Sequence, residues 1–113
     1  MRGRVLIVVS VLCLLGAVGA EASRSPTQQE AKEIRTDAKL YLQGRGWRVS
    51  GIRVSTVNGH YAKATVQQGQ SGPGGEMILL LHHGIWHESF LGTDSFCSAH
   101  VPRRVLDDLG FKC

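Results

Sequence analysis

The first twenty residues of the chain have the pattern of an export signal, which decides how much of the chain is left to fold. Two arginines lie among the first four residues, and an apolar run of eleven residues, with Ser10 as its one polar member, follows over residues 5–15. This run is too short to span a membrane, and small residues follow it at Ala20 and Ala22. We therefore predict a signal peptide over residues 1–20, cleavage there or as late as Ala22, and a secreted or cell-envelope location without a membrane span in the mature protein.

The remaining 93 residues are enough for one domain and no more. Two of the 13 basic residues lie in the predicted signal, so residues 21–113 have a net charge of about +2 rather than the +4 of the whole chain. So small a positive charge argues against nucleic-acid binding. Arg45, Arg48 and Arg53, with Trp47 between them, resemble a basic patch, and in an exported chain such a patch favours an acidic protein or an anionic envelope polymer as partner.

The cysteines indicate a disulfide, because the predicted compartment is oxidising and two of the three cysteines remain after the signal is removed. Cys13 lies in the signal, which leaves Cys97 and Cys113. Their pairing would close a loop of fifteen intervening residues and stabilise the fold by roughly 3 kcal/mol.

A helix is predicted at the start of the domain, where Thr27 and Glu30 have the spacing of a capping box. Apolar residues then recur at helical spacing over about four turns, until Gly44 and Gly46 end the helix. The residues of this apolar stripe are Ala31, Ile34, Ala38, Tyr41 and Leu42.

A β-hairpin is predicted over residues 47–68, with a bulge at Gly51, where the alternation of apolar residues changes phase. Whether the loop has an even or an odd number of residues decides which side chains of the two strands share a face. A three-residue loop over 57–59, with Gly59 in the left-handed conformation, pairs Val54 with Ala62. That register places one set of apolar residues on the face that the helix covers: Ile52, Val54, Ala62, Ala64 and Val66.

A second hairpin is predicted after a flexible connection over residues 69–75. The apolar run at 77–81 does not alternate, so we predict a strand covered on both faces, by the C-terminal segment or by another subunit. A two-residue turn of His83 and Gly84 leads into a fourth strand over 85–91, with Trp86 and Phe90 on one face.

A short C-terminal helix is predicted to start at Pro102 and to bury Val105, Leu106 and Leu109. Asp107 and Asp108 are interpreted as solvated charges on its surface. The predicted fold class is therefore α+β, with an N-terminal helix, a four-stranded antiparallel sheet and a short C-terminal helix in one domain over 21–113. Its layout is analogous to helix-on-sheet folds of the cystatin and NTF2 type.

Three histidines cluster at the second hairpin, and imidazole is a common ligand of transition metals. In the predicted register His82 and His87 are diagonal neighbours on one face, while His83 lies in the turn. Three interpretations of this pair are open: an incidental surface pair, a pH-sensitive contact, and a zinc or copper site. No other cofactor is predicted.

The sequence contains only weak indications of an active site. Asp94, Ser95 and His100 supply the residue types of a hydrolytic triad, but they lack the motif that would place them. The glycine-rich segment is followed by neither the lysine nor the helix of a phosphate-binding loop. An enzyme is therefore the less favoured class, with a hydrolase as the minor alternative.

Short segments of the sequence resemble small, uncharacterised secreted proteins of high-GC Gram-positive bacteria. They are Trp-Arg-Val at 47–49, Tyr-Ala-Lys-Ala at 61–64, Gly-Ile-Trp at 84–86, Gly-Thr and Phe-Cys within 92–97, and the segment 101–113. The resemblance implies export, one compact domain and a disulfide, and it implies no activity and no site residue.

The sequence thus predicts an exported binding protein whose ligand is a protein, a peptide or an envelope polymer. The alternative is a small metal-handling protein that uses His82 and His87. For the partner surface we predict the second sheet face, which could equally be a homodimer interface or covered core. Its residues are Ile78, Leu80, Ile85 and Leu91.

Overall fold

The structure, a computed structural model, describes residues 22–112. The predicted signal peptide and Cys113 lie outside these residues. The elements in chain order are α1 (Gln28–Lys39), β1 (Trp47–Val54), β2 (Tyr61–Gln68), β3 (Gly74–His82), β4 (Ile85–Gly92), a 3-10 turn (Phe96–Ser98) and α2 (Arg103–Asp108).

The four strands form one antiparallel sheet in the order β1-β2-β3-β4, which confirms the predicted α+β layout. Helix α1 covers one face, and the expected apolar residues of the first hairpin pack there against Ile34 and Ala38. The C-terminal segment covers β3 from the other side through Val105, Leu106 and Leu109. Of the two predicted covers for this face, the structure therefore has the C-terminal segment.

The start of α1 has the predicted capping box. Thr27 Oγ1 accepts a hydrogen bond from the Glu30 backbone N–H at 3.1 Å, and Glu30 Oε1 accepts from the Thr27 N–H at 2.9 Å. Arg24 donates to both carboxylate oxygens of Glu30 at 2.8 Å. The hydrogen bond from Arg24, with that from Thr27, lowers the pKa of Glu30 to about 2.

Helix α1 ends at Lys39, earlier than the predicted stop at Gly44. Tyr41 and Leu42 therefore belong to the turn after the helix, and Tyr41 is exposed rather than part of the buried stripe. Leu42 still packs partly against the core from this turn.

The first hairpin has the register predicted from turn parity. Val54 pairs with Ala62, and the register shifts between Ser50 and Arg53, around Gly51, whose φ is +58°. The prediction that Gly59 adopts the left-handed conformation is wrong, since its φ is not positive. The register was nevertheless predicted correctly, because it follows from which side chains must face the core and not from the backbone conformation of the loop.

The loop after β1 is instead closed by Asp108, the last residue of α2. Its buried carboxylate accepts hydrogen bonds from Ser55 Oγ at 2.8 Å, the Thr56 N–H at 2.7 Å and Thr56 Oγ1 at 3.0 Å. A longer contact of 3.4 Å comes from the Val57 N–H. The interpretation of Asp108 as a solvated charge was therefore wrong, whereas Asp107 is exposed as expected.

Strand β3 begins at Gly74, so the last two residues of the predicted flexible connection are strand. A Cβ on Gly74 would lie 2.8 Å from the Val66 carbonyl oxygen, and one on Gly75 would lie 2.7 Å from the Gly92 carbonyl oxygen. Both contacts are too short for any other residue without a shift of the backbone. These glycines therefore allow neighbouring backbones to approach closely, which is a structural role.

The second hairpin has the predicted two-residue turn, with His82 opposite Ile85. Between Ile78 and Leu79 the register shifts by one residue, so that Phe90 lies opposite Ile78. This bulge moves Phe90 to the face opposite Trp86, which corrects the prediction that they share one. Phe90 there contacts Phe96, with ring centroids 5.3 Å apart.

The turn itself contains a left-handed residue that is not glycine. His83 has a φ of 52° and Gly84 a φ of 79°, the combination found in type I′ turns. Asparagine adopts this conformation at lower cost than histidine. We expect His83→Asn to raise the free energy of unfolding by about 0.5–1 kcal/mol. Urea unfolding of wild type and variant measures this, and an unchanged or lower midpoint would contradict it.

Within residues 22–112 the structure has no helix with the length and apolar character needed to cross a membrane.

Candidate functional site

The end of α1 and the start of β4 meet at one corner of the molecule. Asp37 Oδ2 accepts a hydrogen bond from the Trp86 backbone N–H at 3.0 Å, and Tyr41 Oη lies 3.1 Å from Nδ1 of His87. Two polar contacts therefore hold the turn after α1 beside the second hairpin. We call the exposed and half-buried residues at this corner the hairpin patch: Leu40, Tyr41, His82, Ile85 and His87.

The hairpin patch combines exposed apolar side chains with imidazoles. Leu40 is 73% exposed, Ile85 47% and Tyr41 36%. Beneath them Trp86 is buried in the core under α1. Exposed apolar side chains that lie on a rigid, packed base are typical of contact surfaces.

The histidines lie as the register predicted. His82 and His87 point to one face, and their ring centroids are 6.1 Å apart with an angle of 65° between the ring planes. The ring of His83 lies 3.9 Å from that of His82, from its place in the turn. In the described part of the chain no group of three or more His, Cys, Asp or Glu side chains is arranged to hold a metal ion. Any metal at this pair would therefore take its other ligands from elsewhere, such as water.

The predicted partner surface is divided between core and exterior. Ile78 is fully buried, and Leu80 is half-buried in the same cluster, because the apolar stripe of α2 and Phe111 pack over them. These two residues form covered core, the alternative that the sequence left open. Ile85 and Leu91 lie on the outer strand and are exposed. Only these two remain available for a contact surface.

The residues of the possible triad do not form one. Ser95 Oγ donates to Asp94 Oδ1 at 3.2 Å, and among residues 22–112 no hydrogen bond joins Ser95 to His100. A nucleophilic serine needs the histidine, not the carboxylate, as its direct partner. This arrangement gives the hydrolase alternative no support.

Cys97 lies beside the end of the described chain. Its Sγ is 3.5 Å from the carbonyl oxygen of Lys112, the residue before Cys113. Cys113 lies outside the described residues, so the pairing of the two cysteines stays a prediction.

Sequence reasoning placed His82, His87 and Ile85 correctly but missed Leu40 and Tyr41, because it extended the helix past them. The described residues enclose no pocket. Away from the hairpin patch, another large apolar side chain of similar exposure is Val57 in the first hairpin, at 45%. Comparison of the chain with known protein families, with curated proteins and with solved structures finds no match.

Proposed function

We propose that this is an exported binding protein that holds a protein partner through the hairpin patch. The observation that carries this proposal is that exposed Tyr41, which follows exposed Leu40, contacts His87 on the strand that also carries exposed Ile85. Apolar and aromatic side chains of this kind are the usual anchors of protein interfaces. They fit a protein partner better than a highly charged envelope polymer, which would need a cluster of cationic side chains.

The rigidity of the base supports the same conclusion. Trp86 is buried next to Ile85, and Asp37 holds the Trp86 backbone at 3.0 Å, so Ile85 projects from a fixed strand. A partner that binds there does not have to order a flexible loop, which lowers the entropic cost of association.

Site-specific cross-linking tests this function, with Val57 as a matched control because its exposure is close to that of Ile85. A photoreactive residue at position 85 should trap a partner protein in the fraction where the protein resides, and one at position 57 should not. With the purified partner, we expect Ile85→Ser to weaken binding at least tenfold and Val57→Ser less than twofold. Equal trapping at both positions, or products with a second copy only, would overturn the proposal.

Export and the disulfide are part of the same proposal. The position of Cys97 beside Lys112 supports a bond to Cys113, and the predicted leader supports passage to an oxidising compartment. The likeness to cystatin and NTF2 proteins is an analogy of layout and brings no function. An intact mass of the protein from the culture medium, without reductant, should show a chain that begins between Glu21 and Ser23 and lacks two hydrogens. An uncleaved or fully reduced chain would contradict this part.

A further inference from the structure

We propose that His82 and His87 together bind one Cu²⁺ ion, with Tyr41 as a positioning residue for His87. This inference goes beyond the docking proposal and does not depend on it. It rests on the separation of the two imidazoles, on the contact that Tyr41 makes with one of them, and on the rigid strands that carry both.

The separation of the rings suits a shared metal ion. With a metal–nitrogen bond of about 2.0 Å, the ion lies roughly 3 Å from the centre of each imidazole ring. Two rings on one ion are then roughly 5 Å apart at a tetrahedral angle and roughly 6 Å apart when their nitrogens lie on opposite sides of the ion. The observed separation of 6.1 Å is within the reach of one ion, because rotation of the two side chains can bring a nitrogen of each ring onto it.

The small number of protein ligands favours copper over zinc, because protein zinc sites usually take three or four protein ligands. Cu²⁺ prefers square-planar or tetragonal coordination, in which two ligands lie opposite each other, whereas Zn²⁺ prefers a tetrahedron. Among the divalent ions of its row, Cu²⁺ also binds nitrogen ligands most tightly, so two imidazoles retain it best. Water completes the coordination, because His82 is exposed and His87 is half-buried.

Tyr41 prepares His87 for this role. Its Oη lies 3.1 Å from Nδ1, so Nδ1 is engaged and Nε2 is the nitrogen left for a metal. With copper on Nε2 the neutral ring carries its proton on Nδ1, and Nδ1–H donates to Tyr41 Oη. A hydrogen bond of this kind fixes both the tautomer and the orientation of a ligating histidine.

The strands set the pair in place. His82 is the last residue of β3, and His87 lies opposite Leu80, two residues before it. The two histidines are thus diagonal neighbours on one face of paired strands, and the two-residue turn joins those strands directly. Their backbones therefore need no rearrangement on binding, which distinguishes this pair from histidines on a loose terminus.

The test is titration of metal-free, tag-free protein with Cu²⁺ and, separately, Zn²⁺, against a competing chelator. We expect one Cu²⁺ per chain, an electron paramagnetic resonance spectrum with nitrogen coupling from two imidazoles, and at least tenfold weaker Zn²⁺ binding. His82→Asn and His87→Asn should each weaken Cu²⁺ binding at least tenfold, and His60→Asn and His100→Asn should not change it. Tyr41→Phe should weaken it about tenfold while both imidazoles still coordinate.

The variants separate this inference from its rivals. Because His82 is exposed, its substitution leaves the fold intact, which urea unfolding verifies even where His87→Asn is less stable. Ile85→Ser should lose the partner and keep copper, so the docking proposal and the copper site can fail independently. Copper binding that survives His82→Asn unchanged, coupling from a single imidazole, or zinc bound as tightly as copper would overturn the proposal.

Discussion

Replacing Asp108 with alanine is expected to lower the free energy of unfolding by about 3–4 kcal/mol, because its buried carboxylate is the shared acceptor of the loop after β1. Without it, the buried Ser55 hydroxyl and the Thr56 backbone N–H lose their partner. Each unsatisfied buried donor costs about 1–3 kcal/mol. Urea unfolding at neutral pH, followed by circular dichroism, measures the loss.

The neighbouring residue provides the control. Asp107 has the same side chain on the same helix but is exposed, so Asp107→Ala should change the free energy of unfolding by at most about 0.5 kcal/mol. Equal effects of the two substitutions would show that the loss comes from helix charge rather than from the loop. Asp108→Asn keeps one acceptor oxygen and should fall between wild type and Asp108→Ala.

The same carboxylate makes stability depend on pH. Burial alone would raise the pKa of Asp108, but hydrogen bonds from Ser55, Thr56 and Val57 outweigh it and leave the pKa below its ordinary value. A folded-state pKa below the unfolded one adds stability above about pH 4, and that stability is lost as the pH falls through the folded pKa. Glu30, with a pKa of about 2, acts in the same direction. Asp108→Ala should therefore show a shallower loss of stability between pH 5 and about pH 2 than wild type.

Replacing Trp86 with alanine is expected to cost about 3–5 kcal/mol, because it removes the largest fully buried side chain of the described core. Its ring lies in the cluster under α1 with Met77 and Leu79. The surrounding strands are fixed by pairing on β3 and cannot collapse fully into the cavity. Urea unfolding without added reductant, followed by circular dichroism, measures the loss.

Ile85 is the matched control for this substitution, since it is the adjacent residue of the same strand but points outward. Ile85→Ala should cost at most about 0.5 kcal/mol. Trp86→Phe, which keeps an aromatic ring, should cost less than Trp86→Ala. A cost for Trp86→Ala no larger than that for Ile85→Ala would mean that the residues beneath the hairpin patch are not packed as described.

Much of the fold could be predicted because periodicity and turn residues act locally. The capping box at Thr27, the bulge at Gly51 and the turn at Gly84 each depend on neighbours a few residues away. The bulge in β4 could not be predicted in the same way, since neither Ser89 nor its neighbours are glycine. The face of Phe90 was therefore assigned wrongly.

The errors at the site had a different origin. Asp108 is buried by a loop about fifty residues earlier in the chain, and no helical pattern indicates such a partner. Tyr41 was assigned to a buried stripe because apolar spacing continued past Lys39, where the helix ends. The relation between His82 and His87 was predictable because pairing in a short hairpin follows from its turn. Local patterns therefore predicted the hairpin pair, whereas the role of Asp108 depends on a long-range contact that no local pattern indicates.

The contact between Asp37 and Trp86 also has a consequence for how the protein behaves when it is abundant. β4 is an outer strand of the sheet, and the outer edges of sheets can recruit strands from other molecules into growing aggregates. The Trp86 N–H already donates a hydrogen bond to the Asp37 carboxylate at 3.0 Å. The bulge farther along β4 also bends the strand. An incoming strand would have to displace a negative charge and would then meet an irregular edge. The sheet is thereby protected against open-ended polymerisation along β4, while the side chains of the hairpin patch stay accessible.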